Sequence, residues 1–175
     1  DRPPLLTAPY DAELFGHWWY EGPEFLDYLV RKTVYDQRCV ALTSPSEYLR
    51  AYPTHQVVQP ATSSWGEEGY LKVWLNETNQ WIYPHLEIAQ ERMTKLARQF
   101  PKAHGLTERA LQQAGRELLL AQSSDWPFIL RTGTSPDYAR KRVKDHLLRF
   151  SSLYEQLITD RVDETWLGQI EAADN

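Results

Sequence analysis

The sequence is poor in several things that would each announce a function. Its 175 residues hold one cysteine, Cys39. A lone thiol cannot close an internal disulfide and fits a reducing, cytoplasmic setting; without a neighbouring histidine it reads as a small core hydrophobe. No apolar run approaches the roughly 20 residues of a membrane-spanning helix, and no signal-peptide pattern opens the chain, so no membrane partner is expected. Bases do not dominate: 19 Lys and Arg face 24 Asp and Glu, for a formal charge of -5, which speaks against a nucleic-acid partner. There is no glycine-rich phosphate loop and no G-x-S-x-G elbow. The five histidines are scattered without H-E-x-x-H or similar spacing, so neither a metal nor another cofactor is expected.

Aromatic residues are what the chain has in excess. It carries seven Trp, ten Tyr and five Phe, and fifteen of these 22 precede residue 86. A core rarely needs so many indoles, because each buried N–H must find an acceptor. An aromatic-rich, acidic chain points to stacking on sugar rings ahead of nucleotide or membrane binding.

Organisation follows from punctuation and periodicity. Residues 1–22, with Pro3, Pro4, Pro9, Gly16 and Gly22, read as extended chain with turns. Pro23 then opens a helix with Phe25, Leu26, Leu29, Val30 and Val34 at helical spacing. Ser44, Pro45 and Glu47 make a capping box for a short helix that Pro53 stops. Residues 53–78 show no helical period and form a long loop, and loops of such length within compact domains are usually functional or disordered. Beyond it the pattern is helical. Stripes run through Ile82, Leu86, Ala89, Met93, Leu96, Ala97 and Phe100, then Ala110, Leu111, Ala114, Leu118 and Ala121 behind Thr107 and Glu108. Two more follow: Val143, Leu147, Phe150, Tyr154 and Leu157 behind Ser135, Pro136 and Asp137, and Trp166, Leu167 and Ile170 behind Asp163. The basic run Arg140 to Lys144 reads as a solvated helix face. The fold class is mainly α, a helical bundle with a long aromatic loop.

Three groups of residues could carry chemistry. Asp11 and Glu13, two apart, would point the same way on extended backbone. Nearby aromatics and the like charge would supply what a general acid needs, and His17 could bond a sugar or a carboxylate; acids on a solvated turn are the plainer alternative. Trp65 and Trp74 lie off every helical stripe and suit stacking on a pyranose, or else they fill core. Asp125, between Ser124 and Trp126 at a helix break, is either a turn former or a group reaching a ligand.

Taken together, these segments resemble a known family. Tyr10 to Trp19 (YDAELFGHWW) looks like the last barrel motif of glycoside hydrolase family 57, in its 1,4-α-glucan branching enzyme branch. Ser63 to Gly66 (SSWG), Trp74-Leu75-Asn76, Trp81, Glu117 to Trp126 (ELLLAQSSDW) and Trp166-Leu167 look like the blocks that follow. The resemblance implies a (β/α)7 barrel followed by a helical C-terminal domain. Residues 1–22 would be the extended end of the barrel, and 23–175 the helical domain with a substrate-facing loop at 53–78. It implies retaining cleavage of α-1,4 linkages with transfer to a 6-hydroxyl, as in glycogen biosynthesis. Asp11, first acid of the D-x-E-x-x-G pattern, would be the general acid/base. Glu13 and His17 would support it, Trp65 and Trp74 would line the acceptor side, and Asp125 would touch substrate. The implied partners are an α-glucan and the N-terminal barrel of the same enzyme. The family's nucleophilic Glu lies on an earlier strand, before this chain begins, so the chain alone is expected to be inert. An apolar face bared by the missing barrel would promote self-association, or disorder around residues 1–20. A non-catalytic α-glucan-binding module, a 4-α-glucanotransferase or amylase of the same family, and a structural helical domain with all its aromatics in the core are the rival expectations.

Overall fold

The structure, a computed structural model, describes residues 2–174. Among them there is no strand, only an isolated bridge between Phe15 and Trp19, so the described residues are all-helical and contain no barrel. Seven α-helices are present among the described residues: α1 Gly22–Tyr35, α2 Pro45–Ala51, α3 Ile82–Gln99, α4 Gly105–Ala121, α5 Asp125–Thr132, α6 Pro136–Ile158 and α7 Glu164–Ala173. The chain divides into two compact units, Asp1–Pro60 and Ala61–Asn175. The boundary between these compact units falls within the long loop.

The first unit holds residues 2–22 together with α1 and α2. Its amino-terminal stretch is tied down by Arg2 Nη1 donating to Thr54 O at 3.0 Å and by the Tyr48 hydroxyl donating to Pro3 O at 3.2 Å. Within the stretch read as extended chain with turns, residues 11–20 form a compact turn: Leu14 N–H donates to Asp11 O, His17 N–H to Glu13 O and Trp19 N–H to Leu14 O. The turn packs on α1 through Trp19 and Phe25, whose rings lie 4.8 Å apart. Gly22 is needed there, since a Cβ would meet Phe15 Cα at 2.7 Å. The capping box forms as its residues foretell: Ser44 Oγ accepts from Glu47 N–H at 3.2 Å and Glu47 Oε2 accepts from Ser44 N–H at 3.0 Å. Phe25, Leu26, Leu29, Val30 and Val34 keep their helical spacing but all stand exposed. Cys39 is also exposed, contrary to the core role expected of it. The first unit offers no core to receive it, and the Gln37 side chain holds the Cys39 and Val40 N–H groups in the turn after α1.

The second unit is a bundle built around α6, which packs against α3, α4 and α5, while α7 covers α4. Its core joins Ile82, Leu96, Val143, Phe150, Leu153 and Leu167, each nearly sealed from solvent. Ala110 and Ala114 on α4 and Ala139 on α6 are fully buried, and small side chains let the two backbones approach closely. Asp163 caps α7 by accepting from Trp166 N–H at 3.0 Å. α4 starts at Gly105, two residues before the expected Thr107, and Ala97 is exposed. The basic run on α6 is only partly a solvated face: Arg140 and Lys141 pair with Asp137 and Asp145, but Arg142 turns inward to Asp174 and over the Trp126 ring.

No described helix is long and apolar enough to cross a membrane.

Candidate functional site

In the second unit the loop after Pro60 is ordered by its own polar groups. Ser64 N–H donates to Gly69 O at 2.8 Å, Gly69 N–H donates to Gly66 O at 2.9 Å, and Ser64 Oγ accepts from Gly66 N–H while donating to Tyr70 O. These bonds hold Trp65 on the outside of a closed turn. Gly66 lets the chain pass beneath Trp74: a Cβ there would stand 3.0 Å from Trp74 Nε1 and 3.1 Å from Val73 Cβ. The result brings Trp65 and Trp74 together, ring centroids 6.0 Å apart, with Phe128 of α5 at 6.1 Å from Trp65 and 6.3 Å from Trp74. Trp65 remains 72% exposed, which rules out a purely core role for it.

Two further interactions fix this three-ring platform. Asn79 is wholly buried, and its Nδ2 donates to Val73 O at 2.8 Å and to Pro127 O at 3.2 Å, tying the Trp74 segment to the first turn of α5. Its Oδ1 accepts from Asn76 N–H at 2.9 Å. At the edge of the platform Arg131 Nη2 pairs with Glu67 Oε2 at 2.8 Å. The Arg131 hydrogen bond and charge hold the Glu67 carboxyl below its ordinary value. Sequence spacing does not mark Asn79, whereas Phe128 lies one turn after Asp125, on the helix that the break begins.

Asp125 stands exposed at the start of α5, its Oδ2 accepting from the Ser123 hydroxyl at 2.5 Å. Asp11, Glu13 and His17 belong to the first unit and are all exposed. Asp11 and Glu13 flank the beginning of the turn rather than pointing along one edge of a strand, and the His17 ring lies edge-on to Trp18 at 4.9 Å.

A separate polar cluster lies inside the bundle. Glu117 on α4 and His146 on α6 are sealed from solvent, with Nδ1 and Oε2 2.6 Å apart, and Gln113 Nε2 donates to Glu117 Oε1 at 2.7 Å. Asp174 pairs with Arg142 and Arg149. Burial alone would raise its carboxyl, but the Arg149 hydrogen bond and the surrounding cations outweigh it and hold the group below its usual range. Glu117, His146 and Asp174 offer ligand atoms within 4.8 Å of one another, a grouping that sequence spacing did not reveal. Two guanidinium groups already balance the two carboxylates, so a divalent cation would find no spare negative charge there. The arrangement suits an ion-pair network that fastens α7 to the bundle.

The comparisons with known proteins agree with this architecture. The family model of the 1,4-alpha-glucan branching enzyme C-terminal domain matches residues 85–175. The chain belongs to this family. The 1,4-alpha-glucan branching enzyme TK1436 of Thermococcus kodakarensis is 36% identical over 177 residues, covering 98% of this chain and 26% of that protein. A probable 1,4-alpha-glucan branching enzyme of Mycobacterium tuberculosis is 30% identical over 151 residues, 83% of this chain and 28% of that protein. Among solved structures, the GH57-type branching enzyme of Pyrococcus horikoshii superposes with a TM-score of 0.77 at 31% identity, over 96% of this chain and 32% of that one. The alpha-amylase AmyC of Thermotoga maritima superposes with a TM-score of 0.69 at 43% identity, over 95% and 30%. The chain thus spans between a quarter and a third of the length of these relatives.

Proposed function

We propose that this chain is the C-terminal part of an α-glucan branching enzyme, which cleaves α-1,4 linkages and forms α-1,6 branches. It supplies the acceptor-side aromatics Trp65 and Trp74 and the general acid/base Asp11. The observation that carries this reading is the internally braced platform of exposed Trp65 and Phe128 with half-buried Trp74. Flat aromatic faces on a rigid loop match the apolar C–H faces of glucose rings, and holding them in place beforehand reduces the entropy lost when a glucan binds. The partners are an α-glucan and the N-terminal barrel of the same enzyme, and Cys39 as a free thiol fits a cytoplasmic enzyme.

Asp11, Glu13 and His17 take their roles from the family motif that they match. Retaining transfer needs two carboxyl groups about 5–5.5 Å apart, one attacking the anomeric carbon and the other donating a proton to the leaving oxygen. Asp11 acts as the donor and then, as base, activates the incoming 6-hydroxyl. Glu13 and His17 orient it, and Asp125 meets the glucan from the α5 side. The nucleophile belongs to the barrel, so the 175-residue chain alone is inert. In the full-length enzyme Asp11→Asn removes transfer while leaving glucan binding nearly intact; a near-normal rate would refute the assignment.

The 43% identity to an alpha-amylase supports a second reading, hydrolysis by the same machinery with water as acceptor. Counting α-1,6 branch points against reducing ends released from amylose separates the two. A third reading, a stand-alone glucan-binding module, predicts that maltoheptaose changes the Trp fluorescence of the isolated chain, whereas half a cleft binds it poorly.

A further inference from the structure

Beside the aromatic platform lies a pocket of about 400 Å³, walled by Lys72, Leu75, Asn76, Thr78 and Arg131 and edged by Glu77. Its place on the platform's flank follows from the chain. Arg131 is one helical turn after Phe128, so both side chains share a face of α5. Arg131 also clasps Glu67, two residues from Trp65, and Lys72 precedes Trp74 by two. The far wall is stiff. Asn76 Nδ2 donates to Lys72 O at 2.9 Å, while its Oδ1 accepts from Thr78 N–H at 2.9 Å and from the Thr78 hydroxyl at 2.6 Å.

Charge decides what such a pocket accepts. Each cation already has an acidic partner, Lys72 with Glu68 at 2.5 Å and Arg131 with Glu67 at 2.8 Å, and Glu77 adds a further carboxylate. An anion would therefore meet a surround with no spare positive charge. A neutral polyhydroxyl ligand would find the free N–H groups of Arg131 as donors and the Thr78 hydroxyl oxygen, whose proton is given to Asn76, as an acceptor, with Leu75 as an apolar part of the lining. The guanidinium of Arg131 has N–H groups beyond the one bound to Glu67, and its rigid fork suits adjacent sugar hydroxyls.

We infer that this pocket is a glucan subsite adjoining the platform, taking the hydroxyl edges of glucosyl units whose neighbours stack on Trp65 and Trp74. The inference rests on the platform reading proposed above and adds a length-measuring element to it: only chains long enough to pass beyond the rings reach Arg131 and Thr78.

The test uses the full-length enzyme with its barrel nucleophile replaced, and measures dissociation constants for maltotriose and maltodecaose. Arg131→Gln and, separately, Thr78→Val weaken maltodecaose binding, by about tenfold for the charged donor, and leave maltotriose unchanged. Equal loss at both lengths would mean that the substitution merely loosens the platform through Glu67, and would overturn the subsite. Unchanged affinity for both would overturn it as well, as would competition between inorganic phosphate and maltodecaose. Trp65→Ala separates the two claims: it weakens both ligands if the platform binds glucan, and if it weakens neither, the platform reading itself fails.

Discussion

Helices α1 and α6 carry apolar stripes of similar regularity, yet their fates differ. On α6, Val143, Phe150, Leu153, Tyr154 and Leu157 are buried against α3, α4 and α5. On α1, Phe25, Leu26, Leu29, Val30 and Val34 face solvent. The period of a sequence shows which face of a helix is apolar; whether that face is covered depends on what the chain can bring to it. In the first unit only Gly22 is buried among the described residues, so its elements lean on local devices: a capping box, the Gln37 turn and the stack of Trp19 on Phe25. Isolated helices of this length are marginal in water without tertiary support. The unpartnered α1 stripe is what a region docking on further polypeptide would show, in accord with relatives three to four times as long as this chain.

The strongest way to break the contrast is to cut into both stripes of the isolated chain. Phe150→Ala empties a fully buried site and should cost about 3–5 kcal/mol in urea unfolding. Leu29→Ala on α1 should change the unfolding free energy by no more than about 0.5 kcal/mol, as at an exposed site. Comparable losses at both positions would show that α1 is packed after all. If the proposed barrel docks on this face, the Leu29→Ala cost should rise in the longer protein.

Next in size come the buried polar groups of the second unit. Glu117→Gln keeps the shape but takes away the charge that faces His146 and Arg149; the expected cost is about 1–3 kcal/mol, read from thermal unfolding. Asn79→Ala removes two donors and one acceptor between the Trp74 segment and α5, at about 1–2 kcal/mol. Asn79→Ala should also shift the Trp fluorescence, because the platform loses its brace. Glu117→Gln lies in the bundle interior and should leave that signal alone. A fluorescence change in the Glu117 variant without one in the Asn79 variant would invert the assignment.

Much of this fold is legible in the sequence because helices announce themselves locally. Ser44, Pro45 and Glu47 form the capping box they spell, Asp163 caps α7, and four stripes in the second unit face inward with Ala97 the clear misfit. What escapes is non-local. Gln113, Glu117 and His146 look like ordinary surface residues until α4 and α6 are placed side by side and their polar groups satisfy one another. Arg142 sits in a basic run, and only the return of the chain end at Asp174 turns it inward. At the candidate site Trp65 and Trp74 stand out as aromatics off any stripe. Phe128 completes the platform from 54 positions beyond Trp74, across a contact that no spacing rule reaches, and Asn79 braces it across a similar gap.

Acid is the mildest means of probing the same contrast, because it acts on ion pairs and spares apolar contacts. Asp174 is held below its ordinary value by the Arg149 hydrogen bond and nearby cations, against the opposing effect of burial. A carboxyl depressed in the folded state adds stability above its unfolded value of about 3.9, and that contribution is lost as pH falls through the lower folded value. As pH falls below about 4 the junction of α7 with Arg142 and Arg149 should therefore loosen, and its amides should exchange faster relative to those of α6. Asp174→Asn should flatten that dependence. The pairs on α1, Asp27 with Arg31 and Lys32 with Asp36, are exposed and four residues apart, so their loss should change little beyond helix fraying. Acid-induced exchange that appears first in α1 and leaves α7 protected would place the pH-sensitive junction in the wrong unit.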